Sequence, residues 1–154
     1  MDLTGVIPPM VTPVSDAGGN IDTETTRRFT RYLIEGGVHG LFPAGSIGEF
    51  PSLTRNQRSV LIETVVEASG NTPVIAGCGG TSQTGVKTLI ADAAAIGADA
   101  AVVVTPYYFN ADQEGLCSFY ETIADDAALP IVLYNIPQLT GQTLSRESVF
   151  RLAT

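Results

Sequence analysis

IVLYNIPQLTG, residues 131–141, is an apolar run of strand length that ends in a tyrosine and breaks into a loop marked by Pro137 and Gly141. Its phase matters because the same pattern recurs upstream. GVIPPMV (5–11), VHGLF (38–42), TPVIAG (72–77), AAVVVT (100–105) and PIVLY (130–134) are all strand-sized. Those rich in Val and Ile have the composition of parallel strands covered by helices on both faces. Strand ends near 77, 105 and 134 advance by 28 and then 29 residues, a regular βα repeat. IEGGVHGLFPAG (34–45) and AIGADAAVVVTP (95–106) echo each other as helix end, glycine, strand and loop.

Between the apolar runs lie segments with helical start and stop signals. Residues 22–35 open at Asp22 and stop at Gly36-Gly37; residues 54–69 open with the capping box Thr54-x-x-Gln57 and stop at Gly70. Residues 82–96 carry Val86, Leu89, Ile90 and Ala93 on one face, and residues 112–127 carry Leu116, Phe119, Tyr120 and Ile123 in the same way. Ser145 opens a fifth helix that runs into Arg151-Leu152-Ala153-Thr154.

Two architectures suit this order: an open doubly wound sheet and a (β/α)8 barrel, and periodicity leaves both open. A nucleotide-binding open sheet needs tight glycines and a helix N-terminus after its first strand, whereas PPMVTPVSDAGGN (8–20) has prolines there. The glycine cluster GCGGTSQTG (77–85) has neither dinucleotide nor P-loop spacing.

Composition narrows the function classes. The 154 residues are 44% hydrophobic and 16% charged, as in a globular domain, with no apolar run of membrane-spanning length and no secretory signal at MDLTGVIPPM. A cytoplasmic location is expected. Sixteen acids against seven arginines and one lysine give a net charge of −8, which argues against nucleic acid as a partner and suits a high-salt cytoplasm. Cys78 and Cys117 have no metal-ligand or disulfide spacing and read as small buried side chains, and the single histidine, His39, leaves no metal cluster to build.

Both architectures form sites at the C-terminal ends of strands, which directs attention to PAGSIGEF (43–50), TPYYFN (105–110) and YNIPQLTG (134–141). Gly45-Ser46-Ile47-Gly48 can turn backbone N–H groups and a hydroxyl toward a carboxylate. Tyr107, Tyr108 and Tyr134 can bring phenols to the same end, where a phenol relays a proton or donates to an oxyanion.

GSIGEF, TPYYFN and YNIPQLTG, in that order and at those intervals, resemble the pyruvate-dependent class I aldolases of the dihydrodipicolinate synthase and N-acetylneuraminate lyase family. That family's signatures read G-[ST]-[ST]-G-E and Y-N-x-P-x-x-[ST]-G, and GVIPPMVTP is similar to its first strand. The resemblance covers essentially all 154 residues. It implies an α/β fold of the (β/α)8-barrel type, with residues 1–154 as the N-terminal part of a single barrel domain, about its first five βα units.

The resemblance also implies a chemistry in which a lysine forms a Schiff base with the ketone of pyruvate, without cofactor or metal. Tyr134 matches the tyrosine that relays protons at that carbon, Ser46 the hydroxyl that orients it, and Tyr108 the second tyrosine of the relay, which in the family often reaches a neighbouring subunit. The loop Ser46, Ile47 and Gly48 corresponds to the cradle for the pyruvate carboxylate. Partners implied are small molecules, pyruvate with an aldehyde or a keto sugar acid, and a homo-oligomer, a tetramer for the complete protein.

Ile47 stands where the family usually has a second hydroxyl, and Leu139 where the dihydrodipicolinate synthases carry an arginine that clamps a substrate carboxylate. An uncharged side chain cannot replace that charge-assisted pair, so 2-keto-3-deoxy sugar acids are expected as substrates, with dihydrodipicolinate synthesis as the alternative. The only lysine, Lys87, falls on the third helix beside the inward-facing Val86, where an amine is expected to face solvent and stay protonated. The Schiff-base lysine is therefore expected beyond this chain, near position 162 by the repeat spacing, and the chain alone is expected to be inactive. A catalytically silent binding or assembly module is the reading of another class.

Overall fold

The computed structural model describes residues 3–15 and 19–153. Thr154, placed by the sequence in the fifth helix, and residues 16–18 of the loop after the first apolar run lie outside them.

Three parallel strands, β1 (Ile75–Gly77), β2 (Ala100–Val104) and β3 (Ile131–Tyr134), lie side by side in chain order, with Ile75 opposite Ala100 and Val104 opposite Tyr134. Two further segments continue this order on the β1 side through single parallel bridges, Leu41 to Val74 and Pro9 to Phe42. The five apolar runs thus lie in the order in which they occur in the chain, all parallel. A doubly wound sheet reverses direction partway through, so this uninterrupted order is that of a (β/α) barrel wall.

Runs 5–11 and 38–42, expected as full strands, are held only by bridges. Pro8 and Pro9 have no N–H to donate, so the contact rests on Met10 N–H to the Phe42 carbonyl, Phe42 N–H to the Pro8 carbonyl and His39 N–H to the Val6 carbonyl. His39 itself accepts at Nδ1 from the Val6 N–H at 3.0 Å, a structural role.

The helices form the outer layer. α1 (Thr23–Glu35), α2 (Arg55–Ser69), α3 (Gln83–Ile96), α4 (Gln113–Ala124) and α6 (Arg146–Leu152) open on the side-chain caps Asp22, Thr54, Ser82, Asp112 and Ser145, and Thr54 with Gln57 forms the full capping box. α4 ends three residues earlier than its apolar period suggests, because Asp125 and Asp126 oppose the dipole at a helix C-terminus. The core between layers joins Leu61, Val86, Ile90, Val103, Leu116 and Ile123, all essentially buried. The Tyr120 hydroxyl donates to the Val103 carbonyl at 3.1 Å, tying α4 to β2, and burial raises its pKa.

Ion pairs join neighbouring helices in turn: Arg27 to Glu67, Arg55 to Asp92, Lys87 to Asp126, and Arg151 to both Glu114 and Glu121. Lys87 therefore lies in the outer layer as expected, with its amine 2.8 Å from Asp126. No described helix is long and apolar enough to cross a membrane.

Candidate functional site

The loops after the second, third, fourth and fifth runs meet at one end of the sheet, because parallel strands in chain order place all their C-terminal ends together. There a cleft of about 230 Å³ is lined by Ser46, Phe50 and Pro51 from the loop after the second run, Val104 and Tyr107 from the end of β2 and the loop after it, and Ile136, Leu139 and Thr140 from the segment after β3. A narrow recess beneath it is lined by Phe42, Gly45, Ser46, Gly77, Val104 and Tyr134, among others. Ser46 lines both spaces. The cleft is apolar except for the hydroxyls of Ser46, Tyr107 and Thr140, and no lysine or arginine lines it.

The Ser46 loop is shaped by close packing. A Cβ on Gly77 would sit 2.0 Å from the Ala44 carbonyl oxygen, and one on Gly45 would sit 2.7 Å from the Phe42 ring. Glycine at both positions lets the loop fold over the end of β1. Ala44 and Glu49 take left-handed backbone at φ 56° and 54°, so the turn is strained at both ends of the Ser46 segment. Thr12 Oγ1 donates to the Gly48 carbonyl at 2.7 Å, and Glu49 N–H donates to the Ser46 carbonyl at 3.1 Å.

Arg58 locks this loop from behind. Its guanidinium donates to the Gly79 carbonyl at 2.7 Å and the Phe50 carbonyl at 2.8 Å and stacks over the Phe50 ring, 5.0 Å from its centroid. Only 8% of the residue is exposed, and burial pushes its pKa down, with Tyr107 and Cys78 acting the other way. The Cys78 thiol is pushed up to about 12 by burial and is an inert core group. Arg58 was absent from the sequence-level candidates, although a signal existed: it begins the i, i+3, i+4, i+7 stripe Arg58, Leu61, Ile62, Val65. A cation on an apolar stripe must reach buried acceptors.

The predicted site residues divide. Tyr134 ends β3 with its ring 6.0 Å from Phe42, edge to face, and shares the recess with Ser46. Gly48 is buried beneath the loop, whereas Ile47 is 56% exposed. Tyr108 stands apart, 86% exposed at φ 81° and edge to face with the 79% exposed Phe109. Its neighbour Tyr107 is the phenol that lines the cleft, with its ring 5.9 Å from Phe50. The expected break at Pro137 takes the form of a one-turn helix, α5 (Pro137–Thr140), which presents Leu139 and Thr140 to the cleft.

The model of the dihydrodipicolinate synthetase family matches residues 2–154. The chain belongs to that family. A DapA-like lyase of Halobacterium salinarum, itself uncharacterized, is 41% identical over 154 residues, 99% of this chain and 50% of the relative. Among solved structures, the dihydrodipicolinate synthase from Aquifex aeolicus superposes with TM-score 0.93 at 34% identity, over 98% of this chain and 51% of that one. The 2-keto 3-deoxygluconate aldolase from Picrophilus torridus superposes with TM-score 0.91 at 38% identity, over 97% and 53%. The chain thus spans about half the length of the family members it matches. Its fold is accordingly the (β/α)8 barrel of this lyase and aldolase family, in part, as the strand order requires.

Proposed function

We propose that the complete protein is a pyruvate-dependent class I aldolase that cleaves 2-keto-3-deoxy sugar acids or related pyruvate adducts, with residues 1–154 as the N-terminal part of its single barrel domain. The observation that carries this reading is Ser46 and Tyr134 lining one recess, with Ser46 also on the wall of an uncharged cleft.

In this reading the substrate ketone condenses with the amine of a lysine near position 162, and water leaves as the imine forms. Tyr134 relays the proton at that carbon, Ser46 orients the phenol, and the Ser46 and Ile47 N–H groups with Gly48 cradle the carboxylate. The C4 hydroxyl gives its proton to the Tyr134 relay as the C3–C4 bond breaks with its electron pair drawn toward the protonated imine nitrogen, and the aldehyde leaves. The relay returns the proton to C3 of the enamine, and hydrolysis of the imine returns pyruvate and the free lysine. Lys87 is excluded from this role by its place in the outer layer, paired with Asp126.

Tyr108 serves as the second relay tyrosine in a neighbouring subunit of a cytoplasmic homotetramer. Its exposure beside Phe109 supports that assignment. Leu139 on the cleft wall favours sugar acids over a substrate whose aldehyde half carries a carboxylate needing an arginine.

Borohydride treatment of the complete protein with pyruvate tests the reading. One pyruvate adduct by mass is expected on the complete protein and none on residues 1–154 alone. An adduct on Lys87 would overturn the assignment of the nucleophile. A higher kcat/KM for condensing pyruvate with aspartate semialdehyde than for cleaving keto-deoxy sugar acids would select dihydrodipicolinate synthesis instead.

A further inference from the structure

We infer that Gln142 is a positioning residue for the two tyrosines at 107 and 108. It is 6% exposed and follows the α5 turn in the chain. Its side-chain amide takes hold of both ends of their loop. Oε1 accepts from the Ala111 N–H at 2.6 Å, while Nε2 donates to the Pro106 carbonyl and, at 3.4 Å, to the Phe109 carbonyl.

The orientation of the amide is fixed by its partners, one N–H facing the oxygen and two carbonyls facing the nitrogen, since a flipped amide would set donor against donor. The backbone of Gln142 is held in turn. Its N–H donates to Thr140 Oγ1 at 3.4 Å, and Thr140 Oγ1 receives the buried Thr105 hydroxyl at 3.0 Å. Threonine, glutamine and loop therefore form one connected unit, reaching from the end of β2 to the turn after β3.

What this unit holds is a strained turn. Tyr108 lies at φ 81°, a conformation that a bulky residue adopts only when its surroundings enforce it. The left-handed turn parts two adjacent phenols, sending Tyr107 into the cleft against Phe50 and Tyr108 outward against Phe109. Without the Gln142 amide, three backbone groups flanking the turn lose their partner, and the loop is free to relax to φ below zero and turn both rings.

The catalytic half of the inference rests on the aldolase reading above; the loop half does not. The test compares Gln142→Ala and Gln142→Glu with the parent in the full-length protein. Glutamate keeps the acceptor for Ala111 and loses the donor to Pro106 and Phe109. In that reading pyruvate is cradled by the Ser46 loop, so KM for pyruvate, assayed in the condensation direction, should stay within about twofold. The value of kcat should fall by about a hundredfold in Gln142→Ala, the penalty of misplacing a reacting group by about 1 Å. Hydrogen exchange at the Ala111 amide, which the Gln142 side chain holds, should speed up by at least about tenfold in Gln142→Ala, with the strand amides 102–104 unchanged.

A rise in KM with kcat preserved, exchange accelerated equally in β2, or faster loop exchange with no loss of kcat would each overturn the positioning role. If the parent protein shows no aldolase activity, the aldolase reading falls, and the exchange measurement on both variants still decides whether Gln142 holds the turn.

Discussion

The loop over residues 43–50 and the loop over residues 105–111 leave the same end of the same sheet, and they are held in opposite ways. The first is pressed against the barrel interior, with Ala44, Gly45, Gly48 and Phe50 buried and the Arg58 guanidinium fastened to its last turn. The second projects, with Tyr108 and Phe109 exposed and a side-chain amide gripping only its ends. Both contain left-handed non-glycine residues. Strain of the same kind is thus sustained by packing and a buried cation in one loop and by three hydrogen bonds in the other. In the proposed reaction the rigid loop binds a carboxylate whose position must not change, and the projecting one presents phenols.

The contrast breaks most sharply at the recess. Tyr134→Phe removes one hydroxyl and keeps the ring against Phe42; in the full-length protein it should lower kcat for pyruvate release by about 10²- to 10⁴-fold, the usual contribution of a positioned proton-transfer group. Steady-state kinetics with retained borohydride trapping would show that the lysine remains competent.

Next in size is Arg58→Leu, which leaves the carbonyls of Phe50 and Gly79 without their donor inside the protein. A loss of about 3 kcal/mol is expected in urea unfolding, whereas Tyr108→Ala should stay within about 0.5 kcal/mol. Equal losses at the two sites would erase the distinction between a locked and a projecting loop.

The ring of ion pairs gives a third measurement. Asp92, Glu114 and Asp126 are held below their ordinary pKa by Arg55, Arg151 and Lys87, and Asp22 by the Thr25 N–H. A depressed folded-state pKa contributes stability above the unfolded value that is lost as pH falls through the folded one. The thermal midpoint should therefore drop below about pH 4 and hold between about pH 5 and 7. These groups all lie in the helical layer, so hydrogen exchange in that layer should rise before exchange in the Ser46 loop.

The smallest expected effect is that of salt. Exposed pairs contribute at most about 1 kcal/mol each and are screened by salt, yet acids outnumber lysine and arginine by eight. Relief of that repulsion should dominate, and the melting temperature should rise in molar KCl. A falling curve would mean that the interhelix pairs outweigh the acid excess, and would remove the high-salt reading of the composition.

How far the sequence carries is visible in particular residues. Asp22, Thr54, Ser82, Asp112 and Ser145 cap the helices that they announce, because a cap is a contact between residues two or three apart and needs nothing else from the fold. The apolar runs and their spacing were likewise local, and with the ordered loops GSIGEF, TPYYFN and YNIPQLTG they sufficed for the family and the barrel.

Tertiary structure alone decided the uninterrupted strand order, the entry of Tyr107 rather than Tyr108 into the cleft, and the grip of Gln142 on a loop 31 residues away from it in the chain. Each depends on which distant backbone groups face one another. Strand order follows from which edges pair, and the side on which a phenol lies follows from the sign of a single φ that only the assembled neighbours can enforce. Arg58 lies between the two cases. Its place on an apolar stripe was legible, but its acceptors, the carbonyls of Phe50 and Gly79, come together only when the helix packs against the ends of two strands.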